Sequence, residues 1–177
     1  MLTFLTKRSL HIGQVIPQLK LVIASGTPAR YNIETDLDSV AYFSNKKVVL
    51  VGFPGAYTPT CTNNHLPGYV KHYSTFKAKG YEVLGLSIND PFVLKEFGED
   101  LEASFPFICD GSGKFTKALE AGGDFTANSL GFRTRRFAVI VENGTITMVN
   151  DEKGGLLTDV SQAETILGFL DNNENSK

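Results

Sequence analysis

The chain has 177 residues, 42% hydrophobic and 20% charged, enough for one domain with a continuous core. A net charge of −2, with Lys and Arg scattered and no basic block, excludes a nucleic-acid or anionic-membrane surface as the main business of the chain. The longest strongly apolar run, residues 48–53, is far short of the roughly 20 residues a membrane span needs, so neither nucleic acid nor membrane is expected as a partner.

Residues 1–9 read as a short N-terminal arm and residues 10–170 as the folded domain. Lys7 and Arg8, with no acidic residue before Glu34, give the arm the composition of a mitochondrial presequence, though a plain ragged arm is the simpler reading. Residues 19–24 (LKLVIA) alternate as a strand does. Residues 35–43 (TDLDSVAYF) suit a short helix capped by Thr35 or Asp36. Residues 47–52 (KVVLVG) form a β-branched run, which predicts a strand buried on both faces. Leu66, Tyr69, Val70, Tyr73 and Phe76 recur at spacings of three and four, which predicts a helix over 62–79, ended by Gly80. Residues 82–88 predict a second buried strand, and residues 91–101 a helix with Pro91 in its first turn. A third strand over 105–109 ends on Cys109. The turn DGSGK leads into a short helix over 115–121, and residues 122–135 predict a loop. Residues 136–142 and 145–149 flank Asn143-Gly144, a tight-hairpin signal. Ser161 and Glu164 have the spacing of a capping box and open the last helix, over 161–170. The polar end, residues 171–177 (DNNENSK), predicts a flexible tail. Alternating strands and helices followed by a hairpin give an α/β fold: a central mixed β-sheet flanked by helices on both faces.

Two cysteines, Cys61 and Cys109, make no disulfide framework and suit a reducing compartment, the cytoplasm being the expectation. Cys61 falls where strand 47–52 has ended and a helix is about to begin. That carboxyl edge of the sheet is where α/β proteins place chemistry. A thiol in the first helical turn meets unpaired N–H groups, which favour an anionic sulfur by about 1 kcal/mol. A second cation is needed for full effect. A guanidinium about 4 Å away adds up to ~4 kcal/mol at an effective dielectric of about 20, before desolvation. Arg133, Arg135 and Arg136 are the candidates, in GFRTRRFAVIV. Arg136 opens a buried strand that would fix its side chain, so it is chosen. Thr58 lies three residues before Cys61, where a disulfide oxidoreductase carries the first cysteine of C-x-x-C. Its hydroxyl can accept from the thiol or donate to a substrate oxygen. Pro54 and Pro59 would stiffen the loop and shield the sulfur. Cys61, His65 and His72 share a helical face, but a zinc site needs more soft ligands, and His65 reads as packing beside the helix, with binding of a reductant's acidic group as its alternative role. Cys109 reads as a small buried hydrophobe, with a resolving thiol as its alternative role.

The motif PGAYTPTC, residues 54–61, resembles the active-site motif of the peroxiredoxins, in particular their type-5 (plant type II) subgroup. IGQVIP (12–17), HLPGYV (65–70), LSINDPFV (86–93), DGSGKFTKAL (110–119) and RRFAVIVENG (135–144) follow in order, so the resemblance covers nearly the whole chain. It implies a thioredoxin-like fold and a thiol-dependent peroxidase for hydrogen peroxide and alkyl hydroperoxides, with no metal, haem or flavin cofactor. Cys61 would be the nucleophile, and Thr58 and Arg136 would hold and polarise the peroxide. Pro54, Gly55 and Thr60 would complete the substrate pocket. Several members carry a resolving cysteine in the segment before the last helix, which here reads GGLLTDVSQ (154–162) without one. The resemblance therefore implies a one-cysteine member whose sulfenic acid meets an external thiol: glutathione, a glutaredoxin or thioredoxin. It also implies a homodimer built around the active-site loops. A non-enzymatic peroxide sensor or partner-binding module on the same fold is the alternative.

Overall fold

The structure, a computed structural model, describes residues 9–27 and 29–174; the first eight residues of the expected arm (1–9) and the last three residues of the expected tail lie outside it. The chain enters through β1 (Lys20–Thr27), which turns back into β2 (Arg30–Asp38). The short helix α1 (Ser39–Phe43) follows, capped by Asp38, whose carboxylate accepts from N of Ala41 at 3.0 Å. A helix over 35–43 was the expectation; its first four residues belong to a strand instead. β2 lies at the edge of the sheet and fully buries Tyr31 alone, so its period-two signal is drowned by polar residues.

β3 (Lys47–Gly52) runs through the centre of the sheet, parallel to β4 (Glu82–Ser87). Val48 and Leu50 face one core, Val49 and Val51 the other, and all four are fully buried. This is the two-sided burial that its β-branched run predicts. β4 is parallel in turn to β5 (Phe107–Cys109). Next in sequence come β6 (Gly122–Asp124) and β7 (Phe132–Thr134), a small separate hairpin in the segment expected to be loop. Three-residue strands carry too few side chains to show a period. β8 (Phe137–Glu142) and β9 (Thr145–Asp151) form the expected hairpin: Asn143 (φ 49°) and Gly144 (φ 77°) both take the left-handed conformation a two-residue turn requires. The main sheet thus has seven strands in the order β2-β1-β5-β4-β3-β8-β9, a mixed sheet of the thioredoxin-like kind.

Helices α2 (Leu66–Lys71), α3 (Tyr73–Ala78) and α4 (Pro91–Asp100) cover one face through Tyr69, Phe76, Leu94 and Phe97. α5 (Lys114–Ala118) joins α1 on the other, through Phe115 and Phe43. α6 (Ala163–Glu174) returns to the first face through Ile166 and Leu170, and runs four residues into the expected tail. The single helix expected over 62–79 is interrupted at His72, whose backbone (φ −100°, ψ 8°) separates α2 from α3. The expected capping box is also absent. Ser161 precedes α6, and its hydroxyl donates to Glu152 at 2.9 Å. Beyond the end of β3, Phe53 packs against Phe97 (5.9 Å between centroids) and Phe107 (6.1 Å), a buried aromatic anchor for the loop that follows.

Candidate active site

The loop of residues 54–60 is held from below. Pro54 and Gly55 are buried, and N of Ala56 donates to Oδ1 of Asn89 at 2.9 Å, itself held by the hydroxyl of Ser87 at 2.8 Å. So the end of β4 and the turn after it fix the loop that leaves β3. Tyr57 takes a left-handed backbone (φ 59°) and reaches outward to Oδ2 of Asp100 at 2.9 Å. A non-glycine residue there stores strain, and such strain gathers where a loop must present a particular side chain. The next residue is Thr58. Its hydroxyl donates to the carbonyl of Gly55 at 2.9 Å, not to the thiol.

Helical structure begins at Pro59, whose missing N–H costs nothing in a first turn. N of Thr62 bonds to O of Thr58 at 3.0 Å. The helix then widens into one π turn, Cys61–His65, closed by N of Leu66 on O of Cys61. Pro67 gives the reason. In a regular helix its ring would collide with the carbonyl of Asn63, four residues back, and the wider turn relieves the collision. Cys61 and His65 both point into the protein, with no exposure, and both meet the same guanidinium. Nη1 of Arg136 lies 3.5 Å from Sγ of Cys61 and 3.2 Å from Nδ1 of His65.

Arg136 immediately precedes β8 and is buried. The other two arginines of the cluster are placed elsewhere. Arg135 pairs with Asp151, Nη2 to Oδ2 at 2.8 Å, and donates to the carbonyl of Gly122 at 2.6 Å. Arg133 donates through Nε to the carbonyl of Leu130 at 2.9 Å. Nε of Arg136 has no hydrogen-bond partner among the described residues although it is buried. Arg136 lines a cleft of about 550 Å³ with Thr58 and Thr60, and Pro54 lies in the same wall. Phe125, Leu130 and Leu156 supply an apolar side, Leu156 being 90% exposed. Pro54, Thr58, Thr60 and Arg136 thus come together around one opening, and Cys61 lies buried behind it, against the Arg136 guanidinium. Cys109 sits at the end of β5, and burial pushes its thiol up to about 12.

His65 is the residue that sequence reasoning undervalued. It is a buried polar side chain between Arg136 and Ser161, whose carbonyl lies 3.0 Å from Nε2. Burial, and then the Arg136 guanidinium, lower its pKa from 6.5 to about 3, so it stays neutral. The available signal was spacing: His65 is four residues past Cys61 and shares its helical face.

The chain as a whole resembles known proteins. The Redoxin family model matches residues 13–167. Peroxiredoxin-2D of Arabidopsis thaliana is 40% identical over 165 residues, 90% of this chain and 97% of the relative. Among solved structures, reduced Prx3 from Vibrio vulnificus in complex with H2O2 matches with a TM-score of 0.82 at 36% identity, covering 93% of this chain and 98% of that one. The Plasmodium falciparum antioxidant protein, a 1-Cys peroxiredoxin, matches with a TM-score of 0.81 at 28% identity, covering 92% and 99%.

Proposed function

We propose, from the premise that this chain belongs to the peroxiredoxin family and is a thiol-dependent peroxidase, that Cys61 is its nucleophile and that Arg136 and Thr58 hold the peroxide. The observation that carries this reading is the guanidinium nitrogen of Arg136, 3.5 Å from Sγ of Cys61, on a side chain that also lines the cleft.

A hydroperoxide entering the cleft presents its O–O bond to the sulfur. The anionic sulfur attacks the oxygen that carries hydrogen; the S–O bond forms as the O–O bond breaks. The bonding pair leaves on the far oxygen, as alkoxide or, from hydrogen peroxide, as hydroxide, which takes a proton from water. Cys61 is left as a sulfenic acid. Negative charge spreads from sulfur to the far oxygen, and a fixed guanidinium beside that path lowers the barrier without reorganising. The partnerless Nε of Arg136 supports this, since a bound oxygen would satisfy it. The proton of the Thr58 hydroxyl is held by Gly55, which leaves its lone pairs to accept the peroxide O–H. Pro54 and Gly55 shape the wall, and the backbone of Thr60 adds to the pocket.

Phe125, Leu130 and Leu156 support alkyl hydroperoxides as substrates alongside hydrogen peroxide. An external thiol regenerates the enzyme: one thiol displaces water from the sulfenic acid to form a mixed disulfide, and a second releases Cys61 as a thiol. Glutathione with a glutaredoxin, or thioredoxin, fits that role. The likeness to a 1-Cys relative supports it, as does Cys109, whose sulfur faces the Phe107 carbonyl. A homodimer built around the active-site loops would cover Tyr57 and Phe92, which are 51% and 72% exposed.

The test is peroxide consumption in parallel with glutathione plus glutaredoxin and with thioredoxin, together with sulfenate trapping by dimedone and mass spectrometry. The adduct is expected on Cys61 alone, and Cys61→Ser is expected to consume no peroxide. Continued turnover by Cys61→Ser sinks the assignment. Turnover with neither thiol system sinks the external-reductant half of it.

A further inference from the structure

Arginine donates and never accepts, so Nδ1 of His65, 3.2 Å from Nη1 of Arg136, is the bare nitrogen of the ring. A carbonyl only accepts, so Nε2, 3.0 Å from O of Ser161, carries the proton. Nε2 also lies 3.3 Å from Oγ of Ser161, whose hydroxyl donates to Oε1 of Glu152 at 2.9 Å. Every hydrogen therefore points the same way along the chain from Arg136 through His65 and Ser161 to the Glu152 carboxylate. Such aligned bonds polarise one another and strengthen together.

The far end is well anchored. Glu152 also accepts from N of Ser161 and N of Thr158, both at 3.2 Å, and from the hydroxyl of Thr158 at 2.8 Å. Burial raises the pKa of this carboxyl, but the bonds from Thr158 and Ser161 outweigh it and hold the group below its ordinary range. N of Glu152 donates to O of Arg136 at 3.0 Å, so the two ends of the relay are also tied through the backbone. The neighbouring Tyr69 gives its hydroxyl to the same Ser161 carbonyl at 2.6 Å. Were His65 to take the other tautomer, its Nδ1–H would face the guanidinium donor to donor. Arg136 would then have to leave its place beside Cys61.

We infer that Glu152 and Ser161 are positioning residues for the peroxide step: they fix His65 as the Nε2–H tautomer, whose Nδ1 seats the Arg136 guanidinium against Cys61. This rests on Cys61 and Arg136 acting as described above. Neither Glu152 nor Ser161 touches the substrate. They act through His65, across the strand from Arg136.

The experiment uses the full chain, with histidine labelled by ¹⁵N and the His65 ring assigned from the His65→Gln spectrum. Ring-nitrogen shifts and the stopped-flow rate constant for peroxide are measured for wild type, Glu152→Gln and Ser161→Ala. Wild type is expected to show the Nε2–H tautomer alone. Glu152→Gln is expected to mix the tautomers and to lower the peroxide rate constant about tenfold, the equivalent of one lost hydrogen-bond partner, with KM for the reducing thiol unchanged. Ser161→Ala should move both readouts the same way by less, because the Ser161 carbonyl still holds Nε2. A pure wild-type tautomer in both variants overturns the inference whatever their rates. So do mixed tautomers with rates within about twofold of wild type. Should Glu152→Gln not fold, Ser161→Ala decides, since N of residue 161 and Thr158 still anchor its Glu152. Peroxide turnover by Cys61→Ser would sink the site assignment instead, and would leave the tautomer result standing on its own.

Discussion

Cys61 and Cys109 are both free, both buried and both part of the same core, on one face of the sheet. They also share an edge: β3 and β5 run parallel to β4, and each cysteine follows or ends one of these strands at its carboxyl end. Depth and topology therefore do not separate them; their neighbours do. Sγ of Cys61 accepts from a guanidinium, whereas Sγ of Cys109 donates to the carbonyl of Phe107 at 3.5 Å. Around Cys109, burial and then the charge of Asp90 disfavour the anion, against one opposing bond from the backbone at Ala24. On the proposed function, one side chain makes the difference between a nucleophilic thiol and a filling one.

Removing that side chain should break the contrast most severely. Arg136→Leu is expected to lower the peroxide rate constant by about 100- to 1,000-fold, the cost of one preorganised donor where charge develops. Stopped-flow kinetics measure it, and a loss under about tenfold would mean that the guanidinium does not distinguish the two thiols.

The second effect is on stability in acid. His65, which holds Arg136 beside Cys61, protonates at 6.5 when unfolded and at about 3 when folded. Between those values the unfolded chain binds more protons, so stability rises with pH and is lost as pH falls from 6.5 towards 3. At ~1.4 kcal/mol per unit this amounts to several kcal/mol. Melting curves across that window should show wild type losing stability and His65→Gln losing less; parallel slopes would remove His65 from the account.

The smallest effect should come from the other thiol. In Cys109→Ser the new hydroxyl inherits the bond to Phe107, so peroxide turnover is expected within about twofold of wild type, and stability within about 1 kcal/mol by urea titration. A dead Cys109→Ser variant would instead make Cys109 a resolving thiol and erase the contrast.

Much of this was legible in the residues alone. β3 and β4 stand out because a β-branched run buried on both faces leaves no other reading. Cys61 stands out because one thiol follows that run behind a proline-braced loop. Arg136 was separable from Arg133 and Arg135 because it alone abuts a buried strand. What stayed hidden depends on partners distant in sequence. Ser161 has a helix-capping pattern, yet it turns to Glu152, nine residues earlier. His65 meets Arg136 and Ser161, 71 and 96 residues away, and no local pattern encodes that meeting. β2, β6 and β7 were missed because an edge strand with one buried residue and a hairpin of three-residue strands carry almost no periodicity.

The widened turn at Cys61–His65 has a consequence for how this segment tolerates change in length. It holds one residue more than an ordinary turn of helix. Deleting Asn63 would remove that extra residue and rotate everything on its amino side by about 100° relative to α2, bringing the carbonyl of Thr62 against the Pro67 ring. Pro67 and the buried face of α2 would keep their places, but the sulfur would swing out of phase with the imidazole that now lies beside it. Conservative replacements in this stretch can be absorbed. A single-codon deletion cannot, because it would part the Cys61 sulfur from the Arg136 guanidinium while leaving the sequence almost unaltered.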